Sequence, residues 1–336
     1  MFENIILIIG IINIPIIIFF NPITKFINIF DIADNVRKFH KNEIPLFGGI
    51  LIIYNLIIFI ILDYFLSFNL FQEIISKREY FTFCIGTIIF FFIGFFDDKY
   101  NLNANTKLFL NFFVLLFLTL MDDNLVIRQL SFSFIENPIY LSSFSHIFTI
   151  LCVLLFLNAI NMFDGINLQT ANYCIIIFSI FLFKDIYIVL SIIFICVLIL
   201  FLYYNFLNKI FLGDSGTQVL AFVISYILIK SHNLNQEFTP EEIFIILSLP
   251  GLDMFRLFLV RIFYGKNPFS PDRNHIHHLI EKKFKKFKTF VIIQFYILVN
   301  IILFYIIENK LNVLILTILT YLVLYIIFTQ KGKKIE

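Results

Sequence analysis

Charge is what this chain has least of. Its 25 Lys and Arg and 23 Asp and Glu make up 14% of 336 residues, where a soluble domain carries about 25%. No polar segment is long enough to fold in water, which excludes a soluble globule, a disordered chain and a fibre. Cysteine is also scarce: Cys84, Cys152, Cys174 and Cys196 stand singly in apolar runs, with no CxxC pair among them. That argues against a disulfide framework or a thiolate metal site and leaves them as apolar fillers. No basic stretch precedes the first apolar run, so that run reads as a retained helix rather than a cleaved signal. No repeat of 20–50 residues stands out.

What the chain has instead is apolar bulk: 60% hydrophobic residues, 48 of them Phe, and a mean hydropathy of +0.94. Apolar runs of spanning length lie near 4–20, 46–66, 80–96, 106–121, 144–161, 170–183, 186–204, 216–230, 242–260, 289–307 and 311–328. They are continuously apolar rather than alternating, and lipid leaves no backbone group unpaired, so each is expected to be a helix. The fold class expected is therefore an all-α polytopic integral membrane protein of about eleven transmembrane helices, one domain over 1–336. Eleven crossings put successive loops on alternating sides, and one side collects 19 Lys and Arg against six on the other. The positive-inside bias makes the richer side cytoplasmic, with the N-terminus outside and the C-terminus inside.

The unusual polar residues gather on that cytoplasmic side, on loops 21–45, 97–107, 158–169, 205–216 and 253–288. Asp97-Asp98 closes the third run and Lys107 follows ten residues later. The pair reads either as a solvated helix end or as one carboxylate for a metal or reactant and one for a neighbour. Asn158, Asn161 and Asp164 share one helical face, with Gly165 letting the chain turn; they are interhelical glue or part of a site. Gly213-Asp214-Ser215-Gly216 opens the eighth run, where small residues admit phosphate oxygens or a metal and Asp214 is placed to cap the helix. His275-Ile276-His277-His278 packs three imidazoles into four residues after Pro271-Asp272-Arg273. No Cys or nearby Glu/His set completes a four-ligand zinc shell, so anion or phosphate recognition fits better.

Carboxylates for one hard cation, chiefly Mg²⁺ (with Mn²⁺ an alternative), surrounded by cationic side chains, are what phosphoryl transfer requires. At a membrane surface this implies one soluble phosphate substrate and one lipid. A transporter would keep its ionisable groups near the midplane, and the runs here are almost free of charge. A second acidic pair, Asp122-Asp123, lies about 24 Å away at the far end of the fourth run, out of reach of the first. It is expected to tolerate replacement.

The strings DNVRKFHKNEIPLFGG, GFFDDKYNLNANTKL, NAINMFDGIN, FLGDSGT and PDRNHIHHLI occur here in the order seen in polyprenyl-phosphate N-acetylhexosamine-1-phosphate transferases. The chain resembles that superfamily, which includes the phospho-MurNAc-pentapeptide translocase, over roughly residues 30–280. The resemblance implies that a polyprenyl phosphate, undecaprenyl phosphate in bacteria, attacks the β-phosphorus of a UDP-sugar, with Mg²⁺ required and UMP released. It implies Asp97 as the base, Asp98 supporting it or the metal, Asp164 as a further catalytic residue and Asp214 as the principal Mg²⁺ ligand. Lys38, His40, Lys41, Lys107, Arg261, His275, His277 and His278 would bind phosphates. Asn161, Asn167, Asn205 and Phe211 would lie near the nucleotide, Phe211 against uracil. Direct attack and an aspartyl intermediate are both open.

Two departures stand out. Asn167 and Leu168 replace the second Asp and Gly of the family's DGxDG, and the Pro-Ala that usually precedes the GD turn is missing before Asp214. PDRNHIHH is closer to the HexNAc-1-phosphate branch than to the translocase, which carries a plain HHH. A UDP-GlcNAc donor feeding O-antigen, teichoic-acid or capsule synthesis is therefore expected, with UDP-QuiNAc, UDP-FucNAc and the pentapeptide donor as alternatives. The setting expected is the bacterial inner membrane, with no nucleic acid and with a homodimer among the arrangements considered.

Overall fold

The computed structural model describes residues 2–31, 43–66, 76–266 and 274–329. Each of the eleven apolar runs falls on a helix. In chain order the helices are α1 (Phe2–Ile18), α2 (Phe20–Ile27), α3 (Gly48–Leu66), α4 (Lys77–Tyr100), α5 (Ala104–Met121), α6 (Ser145–Phe163), α7 (Gln169–Phe183) and α8 (Ile188–Phe206). They continue with α9 (Gly213–Asn235), α10 (Pro240–Phe263), α11 (Ile276–Glu281), α12 (Lys286–Ile306) and α13 (Lys310–Thr329). The chain is an all-α, multi-pass membrane protein. Among the described residues seven helices are long and apolar enough to cross a membrane, and α1 with α2, bent by 69°, count as an eighth if the pair is one span. Helices α3 and α7 are apolar but shorter.

Two connections hold more structure than expected. The 21–45 segment contains α2 and an antiparallel ladder of β1 (Phe30–Asp31) with β2 (Ile44–Pro45). A second ladder joins β3 (Gln129–Leu130) to β4 (Ile139–Tyr140). Strands of two residues are too short to carry the alternation that marks a strand in sequence.

Helix α9 is the axis of the molecule. It is buried without a break from Ser215 to His232 and packs on α3, α4 and α6, most extensively on α4, which runs antiparallel to it. Lipid tails are as apolar as these side chains, so burial alone gives little drive; close packing and hydrogen bonds hold the pair. Phe90 stacks on Phe222 at 4.8 Å and Phe83 meets Tyr226 edge-on at 5.2 Å.

At one end of this pair the Lys230 ammonium, fully buried, sits 2.7 Å from Glu79 and 2.8 Å from Asp122. Glu79 closes a capping box with Ser76 at the start of α4 and accepts from Asn124 at 2.6 Å. The two acids of Asp122-Asp123 differ in their partners. Asp122 neutralises a buried lysine, whereas Asp123 is exposed against Arg128 at 3.3 Å. The opposite end of α4 and α9 carries the site.

Candidate active site

The site begins with a tight turn. Helix α4 stops at Asn101, whose left-handed conformation (φ 51°) lets its N–H close on the Asp97 carbonyl; Asn103 then caps α5. The turn folds α5 back on α4 and brings the Lys107 ammonium to 2.6 Å from Asp97. The other Asp97 oxygen accepts the Leu102 N–H at 2.8 Å.

Asp98 does something different. The first N–H groups of a helix lack partners, and the residue before α9 is Leu212, which has no side chain to offer. Asp98 supplies the cap from another helix: it accepts the N–H of Asp214 at 2.7 Å, the N–H of Ser215 at 3.0 Å and the Ser215 hydroxyl at 2.7 Å. Gly213 makes room, because its φ of 74° disfavours a side chain and a Cβ there would lie 2.7 Å from the Asp98 carboxylate. The expectation that Asp214 caps its own helix is thus corrected. Freed from that task, the Asp214 carboxylate sits 3.2 Å from the Lys107 ammonium and accepts a hydrogen bond from Asn161.

Asn161 stands in the last turn of α6, and Asp164 ends that helix. Burial, reinforced by the charge of Asp214, pushes the Asp164 carboxyl up to about 7, against a hydrogen bond from Thr170. Asn158 points its amide back to the Leu154 carbonyl of its own helix at 2.8 Å. Beyond Gly165 the loop is knitted to the end of α8. Asn167 donates to the Asn205 carbonyl at 3.0 Å and to the Asn208 side chain at 2.7 Å, while Asn205 accepts the Leu168 N–H at 2.7 Å and donates to the Ile210 carbonyl at 2.8 Å. The position where the family pattern has Gly is Leu168, and its φ of 70° gives the physical reason for that glycine. Phe211 accepts the Phe47 and Gly48 N–H groups on its carbonyl, joining the 43–49 segment to the start of α9; its ring is half-buried.

The histidines arrive from α11. His275 and His277 stack with rings 5.5 Å apart and 7° between planes, and His278 lies 4.2 Å from His277. His278 pairs with Glu281 at 3.3 Å. A Cβ on Gly165 would overlap the His277 imidazole, which fixes the cluster against the Asp164 loop. Arg261 is buried on α10. Lys38, His40 and Lys41 lie outside the described residues. So Asp97, Asp98, Lys107, Asn161 and Asp214 share one junction of α4, α5, α6 and α9, and Asp164 with His277 adjoins it.

The sequence reading missed Asp253, Arg256 and Tyr321, which hold His275 from behind. Two ionisable residues three apart inside an apolar run were the available signal.

Among the described residues no three His, Cys, Asp or Glu side chains converge as a ready-made metal cage. Mg²⁺ seldom uses one: it takes one or two carboxylates and keeps waters and substrate phosphates. Asp97 and Asp214 share a single lysine, leaving an excess of negative charge at this end, and that donor set suits a divalent cation.

Comparison with known proteins follows the same residues. The family described as glycosyl transferase family 4 matches residues 80–232, a stretch that holds Asp97, Asp98, Lys107, Asn161, Asp164 and Asp214. An undecaprenyl-phosphate alpha-N-acetylglucosaminyl 1-phosphate transferase of Yersinia pestis is 29% identical over 272 residues, 77% of this chain and 72% of its own. The protein of that name in Escherichia coli K12 is 28% identical over 273 residues, covering 77% and 71%. A probable undecaprenyl-phosphate N-acetylglucosaminyl 1-phosphate transferase of Bacillus subtilis is 28% identical over 254 residues, covering 72% and 67%. The motif order, the helical frame and the junction all agree with that similarity to glycosyl transferase family 4 over residues 80–232.

Proposed function

We propose that this protein transfers N-acetylglucosamine 1-phosphate from UDP-GlcNAc to undecaprenyl phosphate, releasing UMP. The observation that carries this is the junction where three helix ends bring Asp97, Asp214 and Asn161 around one lysine, beside a cluster of histidines. The activities for which the relatives are named supply the substrate class. The positive-inside bias supports reading this end as the cytoplasmic face of a bacterial inner membrane, within reach of both a soluble nucleotide sugar and a lipid phosphate.

Within that scheme Asp97 readies the lipid phosphate for attack, and Lys107 holds its negative charge. Asp214, with Asp97 beside it, would hold Mg²⁺, which when bound supplies charge neutralisation on the diphosphate. Asp98 keeps the α9 N-terminus in place, so it positions Asp214 and is assigned no metal bond. Asn161 orients Asp214. The histidines grip the diphosphate of the UDP-sugar, from which UMP departs, and the asparagine-knit loops hold the nucleotide side with Phe211 as the uracil platform.

The test is a donor panel on the purified protein with undecaprenyl phosphate and Mg²⁺, scoring UMP and lipid-linked product. UDP-GlcNAc should turn over, chelation should stop it and Mg²⁺ should restore it. Turnover of UDP-MurNAc-pentapeptide alone would move the protein to the peptidoglycan branch. Turnover of no UDP-sugar at all would overturn the transferase reading.

A further inference from the structure

Asp253 is an expensive residue to place where it is. It lies in the middle of α10, 3% exposed, in a stretch whose one other ionisable residue is Arg256. Burying a carboxylate costs several kcal/mol unless partners surround it, and an ionisable group inside a span marks function by default. Its partners here are complete. One oxygen accepts from His275 Nδ1 at 2.9 Å. The other accepts the Ile276 N–H at 3.1 Å, Arg256 at 2.8 Å and the Tyr321 hydroxyl at 3.0 Å. Arg256 also donates to Tyr321 at 2.9 Å and to the Asn274 carbonyl at 2.7 Å, with its guanidinium 4.4 Å from the Tyr325 ring.

A carboxylate can only accept, so His275 Nδ1 must donate, and Nε2 is the nitrogen left to face a substrate. The chain on both sides of His275 is fixed as well, Asn274 by Arg256 and Ile276 by Asp253. Through the His275–His277 stack the constraint reaches Gly165 and the transferase junction. Tyr321 and Tyr325 come from α13, whose surface is otherwise largely exposed to lipid. We propose that Asp253, Arg256 and Tyr321 are positioning residues that set the tautomer and direction of His275 for the UDP-sugar, and that this is the task of the last helix. The inference rests on the transferase reading for its substrate and on the geometry alone for the tautomer.

The simpler view is that Asp253–Arg256 is a buried ion pair within α10 that serves only to dock Tyr321 of α13. A double-mutant cycle on the full-length protein separates the two. Carboxylate partners that orient a metal-bound histidine are worth about 10–100-fold, and Asp253→Asn should lower kcat/KM for UDP-GlcNAc on that scale. KM for undecaprenyl phosphate should stay within about twofold. His275→Gln should cost as much, and Asp253→Asn with His275→Gln no more than His275→Gln alone, because the first residue acts through the second. Tyr321→Phe removes only a hydroxyl and should show a smaller loss with the same donor selectivity.

Multiplying losses in the double variant, or a loss that follows only the folded fraction, would overturn the proposal. Nitrogen-15 histidine NMR tests the tautomer without turnover. The parent signal that disappears in His275→Gln should be protonated at Nδ1 and should move in Asp253→Asn. An Nε2-protonated neutral ring in the parent would contradict the proposal. If no UDP-sugar turns over, the transferase reading fails by itself and the NMR result still decides the geometry.

Discussion

Helices α4 and α9 carry an acidic cluster at each end, and the two are built from like parts: carboxylates of α4 and its neighbours around one lysine. At the Glu79 end, the Lys230, Glu79 and Asp122 side chains are 1%, 4% and 2% exposed. At the Asp97 end, Lys107 and Asp97 are 9% exposed while Asp214 reaches 29%. The first cluster is sealed, its oxygens occupied by Lys230, Asn124 and Ser76. The second likewise sets two carboxylates against one lysine but leaves one of them open. Both clusters hold α9 against α4. Only the second has anything left to offer a substrate.

That contrast can be broken from either end. The largest effect is expected at the sealed one. Lys230→Met strands two buried carboxylates, and breaking a buried pair costs about 3–5 kcal/mol. Heating in detergent followed by size exclusion should show little protein surviving where the parent is intact. Equal survival would mean that water reaches the cluster.

Lys107→Met should act in the opposite sense, on turnover more than on folding. Removing one charge-stabilising donor from an active site costs roughly 10²–10³-fold in kcat, read as UMP release from protein that elutes normally. A loss of fold equal to that of Lys230→Met would erase the distinction between the two ends.

Asp164 sharpens the comparison through pH. With its carboxyl pushed up to about 7 by burial, the folded protein holds a proton there that the unfolded chain releases near the ordinary carboxylate range. Stability from this group is therefore complete at low pH and falls as pH rises toward 7. Asp164→Asn removes the dependence, so in chelator its melting temperature should gain on the parent between pH 5 and pH 8. A difference between variant and parent that stays constant or falls over this range would show that the carboxyl is not held protonated.

The smallest effect belongs to Asp123→Asn. Its pair with Arg128 is exposed, and such pairs contribute about 0–1 kcal/mol. Activity and melting should both match the parent within error, although Asp122→Asn next to it should destabilise clearly.

The helices were legible because lipid imposes a simple rule, and all eleven apolar runs became helices. The site was legible as a set of motifs: Asp97, Lys107, Asn161 and Asp214, far apart in sequence, meet at one junction. What could not be read was which oxygen does which job. Asp97 and Asp98 are neighbours of one chemical type, and only the antiparallel docking of α9 shows that Asp98 caps another helix. Asp122 and Asp123 are separated in the same way by a lysine 108 residues away from the first of them. Asp253 was hidden by its own surroundings, since an apolar run draws the eye away from a single carboxylate whose partners come from α11 and α13.

The central claim is that the open acid at the Asp97 end is the reacting end of the molecule. The measurement that tests it most directly is the initial rate of UMP release by Asp214→Asn, with UDP-GlcNAc, undecaprenyl phosphate and Mg²⁺, on protein whose folded fraction matches the parent. Asparagine keeps the shape and loses the charge. The account predicts a rate at background with melting preserved by the Asp98 cap; a rate near the parent's would contradict it.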